Sequence, residues 1–325
     1  MIGRKTVIIV GAGASSDLGL PLGSQLKSKV VELLRGDQSH ELDMIEAYLQ
    51  KERGLSRRDS VKKMNEAKRH FGHMLQSRSI DNYLDQERDD EVFVAICKAA
   101  IAMEIARGEK DSFLKGPGLN DPIFNSADYF MLDIMNHVAR GARIADVADS
   151  FENLTFITFN YDRCIERFLD LWMASRGLEA DPRRPKVIHV YGRIGPYPEV
   201  NPFEHEGPRV TMNPHIDLLS HVDGLKLFTE RERDGDFQEI RDAVDIAEVL
   251  VFLGFGFEHQ NMDVFPERSA PKTVFASLFG QSTPNIRSIK DELSERFCVF
   301  PDDPLHFASE KAQDFLRSHD HALGR

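Results

Sequence analysis

The sequence predicts an α/β fold, a parallel sheet flanked by helices and interrupted by a helical insertion module. Three observations predict it. A β-branched apolar run, Thr6–Val10 (TVIIV), leads straight into Gly11-Ala12-Gly13-Ala14-Ser15-Ser16 and then Gly19-Leu20-Pro21-Leu22-Gly23. Short apolar runs return after residue 150 and alternate with helical patterns, as in a parallel sheet. Between the two regions, residues 40–110 carry almost wholly helical spacing.

Taken in order, the first strand and its glycine turn suit a backbone that approaches a bound group closely, with the following helix aiming its free N–H groups at the turn. Strand plus GxGxxS is a short signal, because Ser16 stands where the usual fingerprint has its third glycine. Gln25 to Leu34 continues as a helix, with Leu26, Val30, Leu33 and Leu34 in phase. The second strand of a simple dinucleotide-binding domain does not follow. Instead come the helical faces Leu42/Ile45/Leu49 and Val61/Met64/Phe71/Leu75, and then Val92–Ile105, apolar nearly all round like a buried helix. Ser126 is read as the cap of a helix carrying Tyr129, Phe130, Ile134, Met135 and Val138 and ending near Gly141.

Strands are expected at Leu154–Thr158, Lys186–Tyr191, Val249–Gly254 and Thr273–Ser277, with a weaker one at Phe297–Phe300. Helices at Asp162–Arg176 and Phe237–Glu248 separate several of them, and Gly192–Pro208 reads as a long loop. The expected organisation is therefore a Rossmann-like nucleotide-binding domain over 1–36 and 150–300, a helical insertion over 37–149, and a C-terminal helical tail over 301–325.

Composition narrows the function. With 41% apolar and 29% charged residues the chain reads as an ordinary globular protein, and no apolar run is long enough to span a bilayer. Cys97, Cys164 and Cys298 form neither a disulfide framework nor a CxxC pair, and His205, His215 and His221 lack ligand spacing. A cytoplasmic protein without zinc or another metal is expected. The net charge of −12 argues against a general nucleic-acid coat. One stretch runs the other way: Lys51, Arg53, Arg57, Arg58, Lys62, Lys63, Lys68 and Arg69 form either a solvated helix face or a docking surface for an acidic partner or nucleic acid.

Three later strand ends run into polar or glycine-rich sequence: Phe159-Asn160-Tyr161-Asp162, His189-Val190-Tyr191-Gly192, and Gly254-Phe255-Gly256-Phe257 with Asn261 beyond. In a parallel sheet these ends lie beside the Gly11 loop. The set resembles the sirtuin-like family, in particular the sirtuin-like NAD hydrolases of bacterial anti-phage defence. GAGAS with GLPLG looks like the family's first nucleotide loop, TFNYD like its asparagine motif, and LGFGF like its later glycine turn. VIHVYG occupies the place of the histidine-glycine motif, and Ser79–Leu84 (SIDNYL) matches an acidic-aromatic motif in the insertion.

The resemblance implies NAD+ as substrate, cleaved between nicotinamide and ribose through a cationic sugar. It also implies a regulated, NAD-depleting effector that forms a homo-oligomer or meets a defence partner. Asn160 suits a site that holds ribose hydroxyls and positions water, or it simply caps the helix after it. Asp162 either orients that amide or favours the helix N-terminus by charge. Tyr191 stands where the family has its histidine and can hydrogen-bond ribose, but it is a poor base. His189, two residues earlier and on the same strand face, is either a substitute base or a core histidine. Gly11, Ala12, Gly13, Ser15, Asp17, Pro21, Gly192, Gly254, Gly256, Phe257 and Asn261 are the expected dinucleotide contacts, turn-forming roles being the alternative for most. A catalytically silent NAD- or ADP-ribose-binding subunit is the competing reading. A deacylase is disfavoured, since a four-cysteine zinc ribbon is missing and Pro21-Leu22-Gly23 replaces an acid, an aromatic and an arginine. A hydride-transfer dehydrogenase is disfavoured because no ribose-binding acid follows a second strand.

Overall fold

The protein is α/β, with one six-stranded, wholly parallel sheet. The computed structural model describes residues 3–36, 40–77, 79–114, 129–197, 218–234, 237–297 and 305–323. Its strands are β1 (Thr6–Val10), β2 (Leu154–Thr158), β3 (Lys186–His189), β4 (Val249–Leu253), β5 (Thr273–Ser277) and β6 (His306–Ala308). They lie in the order β3-β2-β1-β4-β5-β6, so the chain winds one way from β1 and then reverses. That is the Rossmann order, and its switch point falls between β1 and β4, where such sheets open a crevice at their carboxyl ends.

Both sheet faces are covered, which is why β1, β4 and β5 are mostly apolar and buried throughout while edge strands β3 and β6 are not. Val7 and Ile9 of β1, with Leu250 and Phe252 of β4, face one core. Their alternates Ile8, Val10, Val249, Val251 and Leu253 face the other. The first core receives helices α2 (Gly23–Arg35), α3 (His40–Glu52), α4 (Arg57–Met74) and α6 (Glu91–Asp111), with the short α5 (Ile80–Gln86) between the last two. The second receives α7 (Phe130–Ala139), α8 (Ile144–Val147) and α9 (Cys164–Ala174), the last carrying the fully buried Trp172. The stretch 37–149 therefore divides between the faces: α3–α6 stack on one and α7 on the other.

Later come α10 (Phe228–Asp234), α11 (Gln238–Ile246), α12 (His259–Met262), α13 (Thr283–Phe297), α14 (Ala312–Ser318) and α15 (Asp320–Leu323). Several boundaries differ from expectation. The helix near residue 130 starts at Phe130 with Tyr129 at its N-cap, and Ser126 lies outside the described residues. Phe297 lies in a helix, the rest of the strand expected at Phe297–Phe300 lies outside the described residues, and the sixth strand comes from His306–Ala308. The tail is thus a sheet edge followed by helices. The loop from Gly192 is described only to residue 197.

The basic stretch follows helical logic. Met64, Ala67, Phe71 and Met74 turn inward from α4, leaving Arg57, Arg58, Lys62 and Arg69 exposed. Lys63 meets Glu66 and Asp90, and Lys68 donates to the Gly36 carbonyl. No described helix is long and apolar enough to cross a membrane.

Candidate functional site

The ends of β1 and β4 are stitched together before any ligand is considered. Gly11 N–H donates to Leu253 O and Gly13 N–H to Gly254 O, both at 3.0 Å. Gly254 sits at φ +56°, and a Cβ there would lie 2.0 Å from Ala14 N. A Cβ on Gly11 would come within 2.5 Å of Gly254 O. These glycines allow two backbones to touch, and the Gly11 and Gly13 N–H groups are occupied by β4 rather than offered to a phosphate. The helix after the turn is also broken. Helix α1 spans only Ala12–Ser15, a 3-10 turn covers Ser16–Leu18, and α2 begins at Gly23, its entry fixed by Gln25 accepting from the Leu22 N–H.

Around this stitch opens a cleft of about 430 Å³, a size ordinary for a small-molecule site. Of the expected site residues, Gly11, Ala12, Gly13, Ser15, Pro21, Asn160, Asp162, Tyr191, Gly254, Gly256 and Asn261 line it. Four separate chain segments reach one space because parallel strands deliver their carboxyl ends to one side.

Asn160 is buried, and its amide Nδ2 donates to Ser15 Oγ at 3.0 Å while its backbone N–H donates to Thr158 Oγ1. It therefore does not cap α9. That helix starts at Cys164, and Asp162 Oδ1 accepts the Cys164 N–H at 3.1 Å. Burial pushes the Asp162 carboxyl above the usual range. The whole loop is anchored from the insertion. Arg163, with no exposed surface, pairs with the equally buried Glu109 of α6 at 2.6 Å, and Glu109 also accepts the Arg163 backbone N–H.

His189 does not line the cleft. Strand β3 ends at His189, so Tyr191 lies in the turn that follows and the same-face rule of a strand no longer joins the two. The His189 ring nitrogens meet the Asn160 carbonyl at 3.1 Å and Glu166 Oε1 at 2.9 Å. Arg193 also donates to Glu166 Oε1. Burial opposes a charge on Glu166, but His189 and Arg193 outweigh it and hold the carboxyl down to about 2. His189 is thus a core group bracing the Asn160 loop from behind.

Tyr191 reaches the cleft, yet its hydroxyl donates to Asn261 Oδ1 at 2.6 Å. Burial first, then Asp81 and Asp85, push its pKa far up, so it keeps its proton. Three other expected contacts are displaced. Gly192, at φ +71°, lies where a Cβ would sit 1.8 Å from Gly224 O, so it serves a backbone crossing outside the cleft. Phe257, itself at φ +54°, packs on Phe252 and Phe255. Asp17 sits in the 3-10 turn and is not among the lining residues.

The cleft also holds residues that sequence reasoning did not assign. Asp81 enters from the first turn of α5 and accepts a hydrogen bond from Tyr161 Oη. Its signal was present, since Ser79 caps α5 through the Asn82 N–H within the SIDNYL motif. Ser277, Phe279, Gln281 and Lys311 line the β5–β6 side, and nothing in their spacing marks them. Among the described residues, no three His, Cys, Asp or Glu side chains gather as a metal ion requires. No family model matches the chain, and no curated protein matches it.

Proposed function

We propose that the cleft binds NAD+ and cleaves its nicotinamide–ribose bond, as in the sirtuin-like hydrolases that the motifs resemble. The observation that carries this reading is the Asn160–Ser15 hydrogen bond, which joins the asparagine motif to the glycine loop at the switch point of a Rossmann-ordered sheet. Nicotinamide leaves a pyridinium as a neutral molecule, so its departure needs no proton. The demand falls on holding the ribose and favouring positive charge at the sugar. Asn160 both donates and accepts, so it can align a ribose hydroxyl and the attacking water. Lys311 suits a phosphate on the other side of the cleft. The biological role in this reading is a triggered NAD-depleting effector in anti-phage defence, working as an oligomer or with a partner protein. Purified protein, with an activator if one is needed, is expected to release nicotinamide from NAD+ by chromatography. Asn160→Ala is expected to lose that release, and undiminished release in the variant would sink the assignment.

A second reading, a silent NAD- or ADP-ribose-binding subunit, is favoured by one observation. Neither group at the histidine motif is free to act as a base, since His189 is tied to Glu166 and Tyr191 to Asn261. Calorimetric binding of ADP-ribose with no nicotinamide release under any activating condition would select it.

A further inference from the structure

Charge is unevenly distributed along the cleft. Among the described residues its carboxylates are Asp81 and Asp162, both on the side where the Asn160 loop faces α5. Its cation, Lys311, stands near the ends of β5 and β6, with its ammonium 6.0 Å from the Phe279 ring. A dinucleotide in its oxidised form has a matching polarity, with a cationic pyridinium at one end and phosphates further along. The two carboxylates are not equivalent. Asp162 is buried and, like Asp81, accepts on its Oδ1, here from the Cys164 backbone at the start of α9. Asp81 receives the Tyr161 hydroxyl on one oxygen, Oδ1, and is only partly buried.

We infer that Asp81 is the specificity-determining group by which the cleft distinguishes the cationic nicotinamide ring from its neutral, reduced form. This rests on the NAD+ reading above. Tyr161 holds the Asp81 carboxyl in place, and low local polarity makes a single charge count for more than it would in water. Burial, and after it the negative charge of Asp85, also raises the Asp81 pKa, a direction that a counter-charge beside it would reverse. A pyridinium supplies that counter-charge and a dihydropyridine does not.

The test is calorimetry on the full-length protein with three probes: carba-NAD+, whose carbocyclic ring resists cleavage, NADH, and ADP-ribose. Wild type and Asp81→Glu are expected to hold carba-NAD+ on the order of tenfold more tightly than NADH. Asp81→Asn is expected to bind the two within about twofold while binding ADP-ribose like wild type. A preference for carba-NAD+ that survives in Asp81→Asn, or is missing from wild type, overturns the inference and leaves the NAD+ reading standing. Loss of ADP-ribose binding in Asp81→Asn would assign the residue to structure instead and equally overturn the inference. Wild type that binds none of the three overturns the NAD+ reading and the inference together.

Discussion

Glu166 receives His189 and Arg193 on one oxygen, and this sets how the end of β3 responds to acid. Its carboxyl lies at about 2 in the folded chain against an ordinary 4.5. A lowered folded value means that its contribution to stability is complete above the unfolded value and is lost as pH falls from there towards 2. Urea midpoints measured between neutral pH and pH 3 are expected to fall for wild type. For Glu166→Gln they are expected to start lower and fall less steeply, and parallel slopes would refute the linkage. Two residues past that strand end, Tyr191→Phe removes one neutral hydrogen bond to Asn261 and is expected to cost about 1 kcal/mol in chemical denaturation. Gly254→Ala is a different case. Its new methyl meets backbone rather than a yielding side chain, at a φ that disfavours any L residue. That variant is expected to accumulate as insoluble protein, and a wild-type melting curve would contradict the geometry.

At the scale of elements, α6 does two jobs. Its apolar body fills the core over the sheet, and its last turns present Glu109 to Arg163. Removing one partner of a fully buried pair strands the other, so Glu109→Ala is expected to cost about 3–5 kcal/mol. Replacing both, as in Glu109→Leu with Arg163→Met, should recover much of that in urea denaturation. The apolar run of α6 was plain in the sequence because a helix buried all round has no polar stripe. The central strands were legible for a similar reason, β-branched runs being the mark of strands covered on both faces. Strand β6 was not, because an edge strand of three residues with half-buried side chains carries no such run. Gly13, Asn160 and Gly256, which hang on strand ends, do meet in one cleft, as a parallel sheet requires. Of the two readings open for His189, the core one fits its place outside the cleft, and spacing along a chain could not choose because it says nothing about where the strand stops. Lys311 carries no mark in the sequence because it stands 151 residues beyond Asn160, just after edge strand β6, and only the sheet order brings it to the cleft.

For the whole molecule, the division of 37–149 between the two cores has a consequence for engineering. Helices α3 to α6 cover one sheet face together with α2, so this insertion is not an appendage. Excising residues 40–111 would expose the face bearing Val7, Ile9 and Phe252. The shortened protein is expected to show no cooperative thermal transition by circular dichroism, whereas an independent module would leave the sheet's own transition intact.

Trp172, the single tryptophan of the chain, sits with no solvent exposure in the core on the other face, and it does not line the cleft. The Arg176 guanidinium lies over its ring, at 4.0 Å. The molecule therefore carries a built-in optical reporter with a narrow field of view. Its emission will move when the core opens and stay still when the cleft fills, which separates unfolding from occupancy in one cuvette.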